Sequence, residues 1–215
     1  MPANVANGTT RLGVTLQFMT SSIVYNKEGY LDKKKGLQIG IPVTLGSIGG
    51  AQFAATLNIK AFEVCLSFAL LIMLFFLFYD SKKFLKEQTE KLSKNIDWKV
   101  WIAFLLIGFY GGFTHIGVGI FILIASVLLV GFDLLRANAI KQFAVMMYAP
   151  FALLVFALNG QVKWAIGAIY AIGNVVGALV ATKLAITWGA NFIRWFLAVI
   201  IFIFSVYLLY KNFFS

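Results

Sequence analysis

Long apolar stretches separated by short polar connections make up most of this chain. Seven can be delimited, at 3–24, 36–57, 62–80, 99–131, 137–158, 162–185 and 191–212. Six have the length of a membrane-crossing helix, about 20 residues. The fourth is too long. As one straight helix, 99–131 would run roughly 50 Å against a hydrocarbon core of about 30 Å. Five glycines fall between Gly108 and Gly119, and they predict a break. Residues 100–110 and 117–131 then become half-helices of roughly 16 and 22 Å, neither of which spans alone. The break is expected near mid-membrane, where irregular backbone is tolerated only if protein buries it or it lines a cavity. The alternative is one long tilted helix whose glycines admit close neighbours.

Composition fixes the class. The 215 residues are 61% hydrophobic and 12% charged, whereas soluble domains are near half apolar and a quarter charged. The pattern predicts an all-α polytopic membrane protein. The net charge of +10 does not indicate nucleic-acid binding, because the lysines and arginines concentrate in connections, as the positive-inside rule requires. The longest connection, 81–98, carries Lys82, Lys83, Lys86, Lys91 and Lys94 and is expected to be a cytoplasmic linker. Lys33, Lys34 and Lys35 lie in an earlier loop expected on the same face. All five tryptophans, 98, 101, 164, 188 and 195, fall at segment ends, the position of an aromatic belt. Cys65 is the single cysteine, so neither an intrachain disulfide nor a cysteine-based metal site is expected. The opening MPANVANGTTRLG lacks the basic and apolar regions of a cleavable signal.

An internal repeat divides the chain. Ala3-Asn4 matches Ala137-Asn138, and after a three-residue slip Gly29, Gly36 and Gly46 match Gly160, Gly167 and Gly177. Residues 1–80 form a first, N-terminally incomplete repeat and 99–215 a second. The second has the Gly-rich stretch in front of its matched helices. The first has no such element after Met1, so a truncated or misassigned start, or true loss of the element, is expected. If 99–131 crosses once, the halves are parallel; if it is a re-entrant hairpin, they are inverted. Charge bias alone does not choose. Gly46 and Gly50, and Gly173, Gly177 and Ala181, form small-residue rows expected to pack against helices.

The eight acidic residues, Glu28, Asp32, Glu63, Asp80, Glu87, Glu90, Asp97 and Asp133, all lie in loops or near segment ends. Cation carriers and carboxylate proton relays place Asp or Glu within the membrane, so both classes are disfavoured. The polar residues inside segments suit an anion instead. Asn4, Asn7 and Arg11 share one helical face, with Thr10 and Gln17 on a neighbouring one. In the second half Asn138, Lys141 and Gln142 share a face. Amides and hydroxyls replace part of an anion's hydration shell while a cation balances its charge. Gly112, Gly117 and Gly119 flank the break, and Gly117–Gly119 would open a half-helix whose free N–H groups and positive dipole end favour a negative ligand. His115, the single histidine, either donates to an anion or exchanges a proton, or is a packed residue bonded to a carbonyl. Arg11 has snorkelling as its alternative role, and Lys141 that of a solvated helix start. No cofactor or metal is expected, and no Ser/His/Asp set or carboxylate pair marks an enzyme.

The runs GFYGGFTHIGVGIFILIASVLLVGFDLLRANAIK and ALNGQVKWAIGAIYAIGNVVGA, with PANVANGTTRLGVTLQ and GIPVTLGSIGGAQFA in the first half, resemble the sulfite exporter TauE/SafE family of membrane permeases. The resemblance covers nearly all of residues 2–195. It lacks the family's opening Gly-rich helix, and His115 stands where Gln or a similar residue is expected. The resemblance implies two homologous halves, a bacterial inner-membrane location, and transport of sulfite, an organosulfonate or a related sulfur-containing anion. The expected partners are therefore a small anionic substrate, the lipid bilayer and, as a candidate, a second copy of the chain. A membrane scaffold or assembly factor is the alternative function.

Overall fold

The structure, a computed structural model, describes residues 1–78 and 96–188, with backbone alone for 69–78. Most of the 81–98 linker and the whole 191–212 segment lie outside the described residues. Among the described residues the fold is all helical. The helices are α1 (Ala3–Lys27), α2 (Lys33–Thr56), α3 (Ile59–Phe78), α4 (Trp98–Phe113), α5 (Val118–Ala125), α6 (Leu134–Leu158) and α7 (Trp164–Trp188). A π-helical turn, Ser126–Val130, extends α5. The six expected segments that fall within the described residues are all present, and α2 and α3 begin about one turn earlier than apolarity predicts. Aspartate and asparagine caps set those starts. Asp32 accepts from Lys35 N at 3.0 Å and Asn58 from Ala61 N at 2.8 Å, satisfying first-turn donors.

The bundle buries polar side chains on α1 and exposes large apolar ones on its outer surface. Asn4, Asn7, Thr9, Arg11 and Thr15 of α1 are buried, whereas Leu154, Leu158, Ile169 and Ile172 are largely exposed. That inversion suits a lipid surround, where internal polar groups must find partners within the protein. α6 and α7 each combine 25 residues with a sustained apolar window. α1 is more mixed because it supplies polar groups to the interior. The apolar core centres on α2, α4 and α6, with Ile39, Val43, Phe104, Ile140, Val145 and Tyr148 fully enclosed.

Close glycine contacts give the helix directions. A Cβ on Gly46 or Gly50 of α2 would fall onto the carbonyls of Leu105 or Phe109, and one on Gly108 or Gly112 of α4 onto those of Val43 or Ser47. Both partners advance together along the chain, so α2 and α4 run parallel with their backbones in contact. Gly36 meets Phe143 and Gly40 meets Met147, so α6 is parallel to α2 as well. α5 lies between two parallel helices in sequence and must therefore run back. Gly111 abuts Val118, and the Tyr110 and Phe121 rings stack edge to face at 5.1 Å. Residues 98–130 thus form a hairpin, not a crossing. The end of α4, Gly112–Phe113, lies beside Ser47–Gly50, so the tip, Thr114–Gly117, falls past the midpoint of α2 instead of at mid-depth. The arms are roughly 24 and 20 Å long, short of a full span.

Three parallel helices, α2, α4 and α6, thus begin at one end of the bundle, each under an aspartate. Asp97 accepts from Trp98 N at 2.7 Å, and Asp133 from Leu135 N and Arg136 N at 2.9 Å each. A carboxylate there also complements the helix dipole. Lys33–Lys35, Lys99 and Arg136 share this basic end. α1 and α7 run the opposite way. Asn138, at the start of α6, meets Tyr25 at the end of α1, and Lys163 N, just before α7, donates to Thr9 Oγ1 at 3.0 Å. α1 and α6, the helices paired by the sequence repeat, are therefore antiparallel.

Candidate functional site

Among the described residues, two polar regions of the interior hold the candidate residues. The first is a cavity of about 350 Å³ between α1, α6 and α7, on the side of the basic end. α1 contributes Gln17, Ser21 and Tyr25, spaced one helical turn apart; α6 contributes Asn138, Lys141 and Gln142; α7 contributes Asn174 and Thr182 among small residues. Among the described lining residues Lys141 is the single charged one, and none is a carboxylate. Asn138 Nδ2 donates to Tyr25 Oη at 2.5 Å, and Thr182 Oγ1 to Ser21 Oγ at 2.9 Å. These bonds fix two walls. Gln142 Oε1 and Asn174 Nδ2 are buried without a partner among the described residues. The cavity therefore offers one cation, amide groups and hydroxyls, a set that matches a small anion's acceptors.

The second region is the hairpin tip. A helix end leaves four carbonyls without partners, and in an apolar interior all four need donors. α4 meets that requirement in full. Tyr110 O accepts from Thr114 N at 2.8 Å. Gly111 O accepts from Arg11 Nη1 at 3.3 Å, Gly112 O from Arg11 Nη2 at 2.5 Å, and Phe113 O from Asn7 Nδ2 at 2.9 Å. Arg11 is 1% exposed, and its guanidinium sits 4.7 Å from the centroid of the Phe156 ring. Gly117 begins α5 at φ +74°, a left-handed conformation that suits glycine. Gly119, one turn-start further on, packs on the aliphatic stem of Lys141, whose Cδ lies 3.2 Å from the position of a Cβ. Lys141 thus joins the two regions.

A family model for sulfite exporter TauE/SafE proteins matches residues 1–208. The chain belongs to the sulfite exporter TauE/SafE family. Among similar curated proteins, a "Probable membrane transporter protein" of Haemophilus influenzae is 28% identical over 215 residues, covering 99% of this chain and 82% of that relative. A "Probable membrane transporter protein ORF9" of Sinorhizobium sp is 25% identical over 90% of this chain and 73% of its own length. "Probable membrane transporter protein YunE" of Bacillus subtilis is 26% identical over 84% of this chain and 70% of the relative. No solved structure matches. Family and relatives make this TauE/SafE protein an integral membrane transporter, and they point to transport instead of enzymatic chemistry.

The structure of this TauE/SafE member divides the candidate residues into three groups. Gln17, Asn138, Lys141 and Gln142 line the cavity. Asn7, Arg11, Gly112, His115, Gly117 and Gly119 build the hairpin tip. Arg11 neither snorkels nor faces the cavity, because the ends of the α4 carbonyls claim its two terminal nitrogens. His115 is half-buried, and its Nδ1 has no partner among the described residues. Asn4 and Thr10 join neither region. Asn4 accepts from Val5 N at 2.9 Å, and the Thr10 hydroxyl binds the carbonyls of Ala6 and Asn7 at 3.1 Å each. Ser21, Tyr25, Asn174 and Thr182 were not expected in the site. The Gln17–Ser21–Tyr25 stripe was the available signal, but without the direction of α7 nothing placed a partner across from it. The Gly173–Gly177–Ala181 row borders the cavity, and Gly173 and Gly177 have no neighbour within 4 Å among the described residues. Among the described residues, then, this row forms a cavity wall and packs no helix at Gly173 and Gly177.

Proposed function

We propose that this protein is a permease for a small anion, most simply sulfite, an organosulfonate or a related sulfur oxyanion, which binds in the cavity beside Lys141. One observation carries the reading: a polar chamber lined, among the described residues, by a single cation, amide and hydroxyl groups and no carboxylate. In a low-dielectric interior such a lining stabilises negative charge and disfavours a cation. The sulfur-containing substrate class comes from the family resemblance.

The proposed mechanism is alternating access between two inverted halves. The antiparallel α1 and α6, related by the sequence repeat, support inversion. The cavity's position at the basic end corresponds to a conformation open to that side. The positive-inside rule makes that side, with linker 81–98, cytoplasmic, in a bacterial inner membrane. At the opposite end α1 closes on its neighbours, since Gly8 meets Gln161 O and Gly13 meets Tyr170 and Asn174.

Sulfite flux into proteoliposomes tests the reading. Lys141→Gln removes the cavity's charge and is expected to raise the half-saturating sulfite concentration about 30-fold or more. Unchanged flux across the concentration range in Lys141→Gln would remove Lys141 from the site.

A further inference from the structure

We propose that Arg11 and Asn7 are positioning residues that cap α4 from α1 and thereby hold the start of α5 against Lys141. The proposal rests on the reading of the cavity as the anion site, and it assigns these two side chains no contact with the substrate.

Three observations support it. First, Arg11 and Asn7 together take the last three carbonyls of α4, at Gly111, Gly112 and Phe113. Only a guanidinium supplies two donors in a rigid fork, so one side chain can hold two successive carbonyls. Second, no carboxylate contacts Arg11 among the described residues. Its charge faces the negative end of the α4 dipole and the Phe156 ring. Third, the path to the cavity is short. Gly111, held by Arg11, packs directly on Val118 and on Tyr148, and the next residue, Gly119, lies on the Lys141 stem. Without the cap, the orphaned carbonyls would draw the end of α4 toward other donors, and the α5 start would move with it.

Two measurements separate this role from substrate binding. One is the distance distribution between spin labels at Leu16→Cys on α1 and Ile116→Cys on the tip, in a Cys65→Ser background. The other is the half-saturating sulfite concentration in proteoliposomes, normalised to folded protein. In both Arg11→Lys and Asn7→Ala the label distribution is expected to broaden, and half-saturation to rise about 2- to 30-fold. Lys141→Gln should raise half-saturation and leave the distribution narrow.

A narrow distribution in both variants overturns the cap. Broadening with unchanged half-saturation also overturns the proposal, because the cap would then not position the site. Raised half-saturation with a narrow distribution in Arg11→Lys would make Arg11 a substrate ligand and refute it too. If Arg11→Lys does not fold, Asn7→Ala, which removes one of the three bonds, decides. If Lys141→Gln has no effect on half-saturation, the cavity reading fails, while the distance measurement still decides whether the cap exists.

Discussion

Two parallel helix pairs in this molecule use the same small-residue chemistry to opposite ends. Along α2 and α4, Gly46, Gly50, Gly108 and Gly112 bring the backbones into contact over two full turns. Along α1 and α7, glycine contacts are confined to the end opposite the basic end, at Gly13 and Gly167. Toward the basic end the cavity lies between them, with Gly173 and Gly177 on its wall and the Thr182–Ser21 hydrogen bond linking the two helices. The sequence repeat pairs Gly46 with Gly177, yet one is sealed by a neighbouring backbone and the other borders the cavity. A glycine row thus permits close approach without requiring it. What lies opposite decides whether the row becomes a seam or a wall.

Matched substitutions break or sharpen that contrast. The largest effect is expected from Gly46→Leu. Its side chain must displace backbone at Leu105 and Phe109, so the cost should exceed the ~1–3 kcal/mol of ordinary overpacking. Size-exclusion chromatography of the detergent-solubilised protein should show loss of the folded, monodisperse species. Gly177→Leu should behave differently: near-normal yield and thermal stability, but a clear fall in sulfite flux, because the new side chain projects into the cavity. Loss of folded protein in both variants would mean that the α1–α7 space is a packed interface and not a chamber. The smallest effect is expected from Asp133→Ala, which removes two N-cap bonds from α6 outside both pairs. It should cost about 1 kcal/mol, a fall of about 2–4 °C in Tm, with unchanged half-saturating sulfite.

Much of this architecture is legible in the chain. The hydropathy pattern places the helices, and glycine density with excess length locates the hairpin tip within a few residues. The direction of α5 is not legible, because an apolar half-helix has the same composition whether it continues onward or turns back. The advance of Val43–Gly108 and Ser47–Gly112 as neighbours, together with that of Gly36–Phe143 and Gly40–Met147, resolves it. The site was partly readable for a similar reason. Helical spacing shows that Asn7 and Arg11 share a face, but not that this face meets the end of α4. An arginine among amides suggests an anion, yet a carbonyl at a helix terminus presents the same partial negative charge. Lys141, Asn138 and Gln142 were legible as candidates because the repeat marks the helix start that carries them. Ser21 and Tyr25 were not, since a hydroxyl on an otherwise apolar helix commonly serves its own backbone, as Thr20 does with the carbonyl of Leu16 at 2.8 Å.

The returning arm also affects how the protein's sidedness should be read. Since α4 enters and α5 leaves at one end, this long apolar stretch adds no passage from one compartment to the other. Epitope tags placed just before Asp97 and beside Asp133 should report the same compartment, despite the 33 hydrophobic-rich residues between them. Any count of crossings that treats each apolar stretch as one passage will assign α6 and α7 the wrong orientation.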